Sequence, residues 1–183
     1  MKNFRYLILA FITLGVVSCS GEDDGPSVET SNLAGEWQLE DMSYTGTSSF
    51  NFNGMSMNSS FTGELMESNV TVKLNSDNTY TSAGSYTLRL TTNTEGMTDV
   101  QEVPISNLDG SGTYAVNGNV FTTSEEDVSA DGSFTMSPVG ISEATITELT
   151  ANRMVLSFDN NQVMTMNGVD MEINIEGVQI LTR

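Results

Sequence analysis

From Leu33 onward, apolar residues recur at every second position, and the runs they form are short and separated by turn-forming pairs. Val70, Val72 and Leu74 share one side, with Thr71 and Lys73 on the other. Tyr86, Leu88 and Leu90 repeat the pattern, as do Met154, Leu156 and Phe158, and then Val169, Met171, Ile173 and Ile175. Successive side chains of a strand point to opposite faces, so this period describes strands with one face buried and one wet. No long segment carries the i, i+3, i+4, i+7 spacing of an amphipathic helix.

The punctuation agrees with the period. Asn-Gly occurs at Asn53-Gly54, Asn117-Gly118 and Asn167-Gly168, and Asp-Gly at Asp109-Gly110 and Asp131-Gly132. Tight hairpin turns need positive φ at their central residues, which these pairs reach at little cost. Runs near 35–44, 48–58, 69–74, 79–90, 98–105, 111–116, 119–123, 132–137, 143–149, 153–158, 161–166 and 169–182 fuse into an expected eight to ten strands. Almost all neighbours in this list are joined as hairpins. A meander of that length exposes two edges unless it closes on itself, so the expected fold is all-β, an antiparallel up-and-down barrel. A two-sheet β-sandwich is the alternative. Ser43–Ser68 fits less simply, as a strand pair about Asn53-Gly54 or a mobile flap. Ser124–Gly132, with Glu125, Glu126 and Asp127, reads as an exposed acidic loop.

The N-terminus is of a different kind. Lys2 and Arg5 precede an apolar run from Leu7 to Val17 that is short for a membrane span and has the flanks of a signal segment. It ends at Val16-Val17-Ser18-Cys19, and Cys19 is the only cysteine in the chain. These four residues resemble the bacterial lipobox. The resemblance implies cleavage before Cys19, acylation of its thiol, and attachment to the membrane through that residue. The organisation that follows is a signal peptide over 1–18, a lipidated Cys19 and flexible tether over 19–32, and one β domain over 33–183. The acidic run Ser20-Gly21-Glu22-Asp23-Asp24-Gly25-Pro26 is similar to the export signal of surface-exposed Bacteroidetes lipoproteins; a plain disordered linker is the other reading. The expected location is the outer membrane, lipid-anchored, on either the cell surface or the periplasmic face.

Composition removes most chemistries. With no histidine and one cysteine, neither a Ser-His nor a Cys-His nucleophile is available, nor a His-ligated zinc site or an internal disulfide. There are 24 acidic and 6 basic residues, a formal charge of −18; Lys2 and Arg5 sit in the segment to be removed, which holds no acid, leaving about −20. Phosphate backbones need clustered Lys and Arg, so nucleic acid is not an expected partner. Carboxylates remain for acid–base work, but none forms a pair in a pocket-like pattern. Asp77, Asp109 and Asp131 stand apart, unlike a calcium loop. No cofactor, metal or catalytic residue is expected, and oligomeric state is left open.

At Leu33-x-Gly35-x-Trp37-x-Leu39 the chain resembles the lipocalin signature and, more closely, the lipocalin-like domains of Bacteroidetes lipoproteins. Leu74-Asn75-Ser76-Asp77-Asn78-Thr79-Tyr80, Gly112-Thr113-Tyr114 and the closing Val178–Arg183 are similar to the same family. The Thr-Asp-Tyr element of typical lipocalins has no clear counterpart, since Thr98-Asp99 is followed by Val100. The resemblance implies a barrel over 33–183 with Trp37 plugging its closed end beside Gly35, and a late arginine, Arg183 or Arg153, packed over the indole. It further implies a small hydrophobic ligand at the open end. Phe52, Tyr86, Leu88, Phe134, Met136, Met164 and Met166 are the expected lining. An adhesion or assembly scaffold with a filled interior is the competing reading. The many methionines suit either an adaptable apolar surface or core filling.

Overall fold

The computed structural model describes residues 28–52, 55–131, 142–166 and 169–183, with the side chains of 50–52, 55, 125–131, 162, 164–166 and 169–170 left out. Cys19 and the signal segment therefore lie outside the described residues, as do Phe134 and Met136. Val28 packs partly buried against the core and Thr30–Asn32 form a 3-10 turn.

Nine strands follow: β1 (Gly35–Phe52), β2 (Met55–Ser68), β3 (Thr71–Leu74), β4 (Thr79–Thr94), β5 (Met97–Asn117), β6 (Val120–Asp131), β7 (Glu143–Leu149), β8 (Arg153–Met166) and β9 (Val169–Thr182). Every pairing is antiparallel, and β9 returns to pair with β1 over Gln38–Phe50. That closure selects the up-and-down barrel over the sandwich. β2 and β3 both lie between β1 and β4, one above the other: β1 pairs with β3 at Gly35–Gln38 and with β2 from Ser43. They are one kinked strand, so nine strands fill eight positions of the ring. Asn69 makes the kink, its Oδ1 accepting from the Ser85 backbone N–H at 2.6 Å. Gly84 (φ +137°) lets it nest there, because a Cβ would lie 2.8 Å from the Asn69 carbonyl.

Ser43–Ser68 is the strand pair of the two sequence readings, registered from Ser43↔Glu64 to Phe52↔Met55. Ser124–Gly132 is not a loop as far as Asp131: β6 runs to that residue, paired with β5 despite its charges. The register skips Glu126 between Ser111↔Asp127 and Gly112↔Glu125. Asp109-Gly110 is not a turn either. It lies inside β5, which replaces the two expected runs at 98–105 and 111–116 and takes its irregularity at Asn107 (φ +53°). At the β5–β6 hairpin the central pair is Gly118-Asn119, one residue later than Asn117-Gly118, because Asn117 pairs with Val120. Gly118, at φ +62°, supplies the positive φ at the first central position. Glu95-Gly96 (φ +51° and +82°) turns β4 into β5 without an Asn or Asp signal.

The turns near 75–78, 118–119 and 150–152 gather at one end with Leu33 and Arg183; the turn at 95–96 and the paired strand ends Phe52↔Met55 and Met166↔Val169 lie at the other. The first end is filled. Trp37 and Met42 are fully buried, and Val72, Leu74, Tyr80, Leu88, Ile105, Met154 and Leu181 nearly so. Across one row, Trp37 faces Val72, then Ser82, then Gly110. The small residues at Ser82 and Gly110 leave the volume that the indole occupies.

Candidate functional site

The closed end is locked from outside the ring. Trp37 Nε1–H donates to the Leu33 carbonyl at 2.9 Å. Arg183 lies over the indole with Cζ 4.0 Å from the ring centroid, and its guanidinium donates to the Asn32, Ala34 and Ala151 carbonyls at 2.9, 2.7 and 3.3 Å. Gly35 lies beneath it: a Cβ there would stand 2.7 Å from Nη2. Arg153 is instead paired with Glu148 at 3.1 Å. This end has no room for a ligand, so Trp37 and Gly35 belong to the architecture.

Midway up the barrel, three aromatic rings lie over glycines of the neighbouring strands. The Tyr44 ring covers Gly63, Phe61 covers Gly46 and Phe158 covers Gly177; a Cβ at these glycines would meet ring carbons at 2.1, 2.5 and 2.5 Å. The register makes this possible, with Tyr44 opposite both Gly63 and Gly177. Tyr44 and Phe61 meet edge-on, centroids 6.3 Å apart at 70°. The rings form a thin layer on the inner faces of β8, β9, β1 and β2, above the filled half.

Just below this layer, buried Gln179 donates Nε2–H to Met42 Sδ at 3.4 Å. Its Oε1 and the Tyr44 hydroxyl find no hydrogen-bond partner among the described residues. Burial pushes the Tyr44 phenol above its ordinary value, and burial together with the nearby Tyr44 does the same more strongly to Tyr86. Both tyrosines hold their protons more tightly folded than unfolded. Their contribution is therefore full below the unfolded value of 10.0 and is lost as pH climbs above it. The urea midpoint should hold steady up to about pH 10 and fall steeply beyond; a flat profile through phenol ionisation would show these hydroxyls to be solvated.

Above the layer the barrel is no longer paired all round. Among the described residues, β5 from Met97 to Ile105 pairs only with β4, and β8 beyond Phe158 only with β9. The alternation that buries Tyr44 and Phe158 places Met57, Met97, Met171 and Ile173 on the same inner face. Met57 is 36% and Met97 71% exposed, and Met171, Ile173, Phe61 and Leu90 are half-buried. Apolar side chains left wet on a concave face favour an apolar guest. Ser48, Ser59, Thr92 and Thr94 share that face, and Ser59 and Thr94 hydrogen-bond at 2.7 Å.

The residues proposed from sequence are scattered across this picture. Tyr86 and Leu88 are buried on β4 below the layer. Phe52, Met164 and Met166 sit at open-end positions of β1 and β8, with registers Phe52↔Met55, Met164↔Met171 and Met166↔Val169 and side chains outside the described set. Phe61, Met97 and the glycines beneath the rings were not singled out from the sequence. Their signal was Gly46, Gly63 and Gly177 inside strand patterns, which mark close approach by another group.

A family model described as a lipocalin-like domain matches residues 22–156. The match covers more than half of the chain and stops in β8, before the strand that closes the ring. None of the curated proteins compared with the chain matches it.

Proposed function

Starting from a chain that belongs to the lipocalin-like domain family, we propose a non-catalytic, lipid-anchored envelope module that holds a small amphiphilic or apolar molecule in the open half of its barrel. The observation that carries this reading is the inner face above the aromatic layer. Met57, Met97, Met171 and Ile173 stay wholly or partly exposed there, while the half below the layer is filled by buried side chains. Covering such surface contributes about 25 cal/mol per Å². The small polar residues between them accommodate a chain with a polar end.

A filled scaffold that binds no small molecule is the second reading, favoured by the sealed base. One experiment divides the two. The domain without its signal segment is purified, bound molecules are identified by mass spectrometry, and a fluorescent long-chain alcohol is titrated in. The carrier reading expects a co-purified apolar compound or saturable probe binding. Neither signal would leave the scaffold.

The anchor rests on Val16-Val17-Ser18-Cys19. Each acyl CH₂ contributes about 0.8 kcal/mol to membrane attachment, so several chains on Cys19 hold the protein firmly. Cys19→Ala should abolish acyl labelling and move the protein to the soluble fraction. Continued sedimentation with membranes would refute the lipoprotein assignment.

A further inference from the structure

The glycines under the rings have a consequence on the opposite side of the sheet. Where Gly63 and Gly177 stand, flanking Tyr44, the outer face of β2, β1, β9 and β8 is concave. The depression is about 610 Å³ and runs into a second of about 170 Å³, sharing Thr45, Asp159 and Glu176 with it. Together they form one shallow, open groove across four strands. Its backbone floor is Tyr44, Gly46, Gly63, Phe158 and Gly177. Its walls are outward-facing and mostly exposed.

The walls are polar around one apolar side chain, Val178, which faces Ser43 and Ser157. Thr45 faces Thr62 and Glu176, Thr47 faces Asn174, and Asp159 faces Glu176. Ser43, Ser157 and Glu64 complete the rim. Hydroxyls give and take hydrogen bonds, amides do both, and carboxylates accept. None of the lining residues is basic, so anionic ligands have no counter-charge. Among the described residues no three acidic groups stand close enough to hold a metal ion. A ring of short acceptors and two-way hydroxyls, spaced at the ~4.8 Å of neighbouring strands, matches a ligand rich in neutral hydroxyls.

We infer that this outer groove is a binding site for a neutral oligosaccharide. Sugar hydroxyls donate to Asp159, Glu176 and Glu64 and exchange hydrogen bonds with Thr45, Thr62 and Ser157. The site is separate from the apolar inner face and lies on the other side of the same strands. Bound sugar hydroxyls would also offset the cost of setting Asp159 directly opposite Glu176, an arrangement that destabilises a strand pair.

The test titrates the domain calorimetrically with neutral hexasaccharides (malto-, cello-, xylo- and manno-linked), with oligogalacturonate, and with spermine. The same series is run on Thr45→Arg, which fills the centre of the groove from an exposed position and leaves the core untouched. Expected is saturable binding of at least one neutral hexasaccharide, none of oligogalacturonate, and a loss of roughly tenfold or more in Thr45→Arg. Retained Trp37 fluorescence and unfolding midpoint certify that the variant is folded. Three results overturn the inference: no neutral saccharide binds, spermine alone binds, or the sugar binds Thr45→Arg as tightly as the native chain. Alcohol-probe binding should be the same in both proteins, so this outcome is independent of the carrier reading.

Discussion

Trp37→Ala is expected to lower unfolding stability by about 3–5 kcal/mol, the range of buried Trp and Phe truncations. The side chain is fully buried and sits in a row that continues through Val72 to Ser82 and Gly110, the last two too small to collapse into the space. The lost atoms leave a cavity rather than a repacked core. Two further interactions go with it: the indole N–H bond to Leu33 and the face on which Arg183 rests. The arginine would keep its backbone carbonyl acceptors, so Arg183→Ala should cost less than the tryptophan change. Since folded domains are stable by only about 5–15 kcal/mol, the variant is expected at the edge of foldability at physiological temperature. Urea denaturation followed by far-UV circular dichroism measures it, because the mutation removes the fluorophore. A cost under about 1 kcal/mol would mean that the closed end repacks and that the row of small residues is not a socket.

The second large effect is expected from the smallest addition. Gly63→Ala places a methyl 2.1 Å from Tyr44 Cζ, well inside van der Waals contact. The ring cannot simply swing aside. Phe61 stands edge-on to it, and the strand on its other flank is so close that a Cβ at Gly177 would lie 2.7 Å from Tyr44 Cβ. Overpacking of this kind costs about 1–3 kcal/mol. The cause is one specific contact, so a double-mutant cycle isolates it. Gly63→Ala should be expensive in the native background and nearly neutral in Tyr44→Ala. If the cost is the same in both, the glycine is needed for the bend of the strand and not for the ring. Because the ring layer lies between the filled half and the open half of the barrel, the same substitution should also weaken probe binding in the open half.

Both predictions rest on glycines and small residues whose purpose was hard to read in one dimension. Gly46, Gly63 and Gly177 interrupt strand patterns, and each is covered by a ring from a neighbouring strand. Two of the pairs, Phe61 over Gly46 and Tyr44 over Gly63, join β1 to β2, and the third joins β8 to β9. The acidic run at 124–131 looked like a loop because charge and strand propensity disagree there, and pairing with β5 decided it. Glu95-Gly96 carries no strong turn signature, yet the register closes a two-residue hairpin on it. Tyr86 and Leu88 were expected around a ligand for their size and apolarity, properties that serve a core equally well.

What the sequence determined alone is the class of fold and its polarity. Alternation of period two and a succession of tight turns leave few options other than an antiparallel meander, and local backbone sterics enforce both signals within a few residues. The Gly35–Trp37 motif and the late arginines were legible for the same reason, as single residues with marked chemistry. Tertiary structure alone decided that β9 returns to β1, that β2 and β3 share one place in the ring, and that Arg183 rather than Arg153 covers the indole. It also decided which apolar residues line a wet face and which fill the core. Those outcomes depend on register between strands far apart in the chain, where a shift of one residue would turn every side chain to the other face. Local pattern cannot encode that choice; the summed packing of the closed barrel makes it.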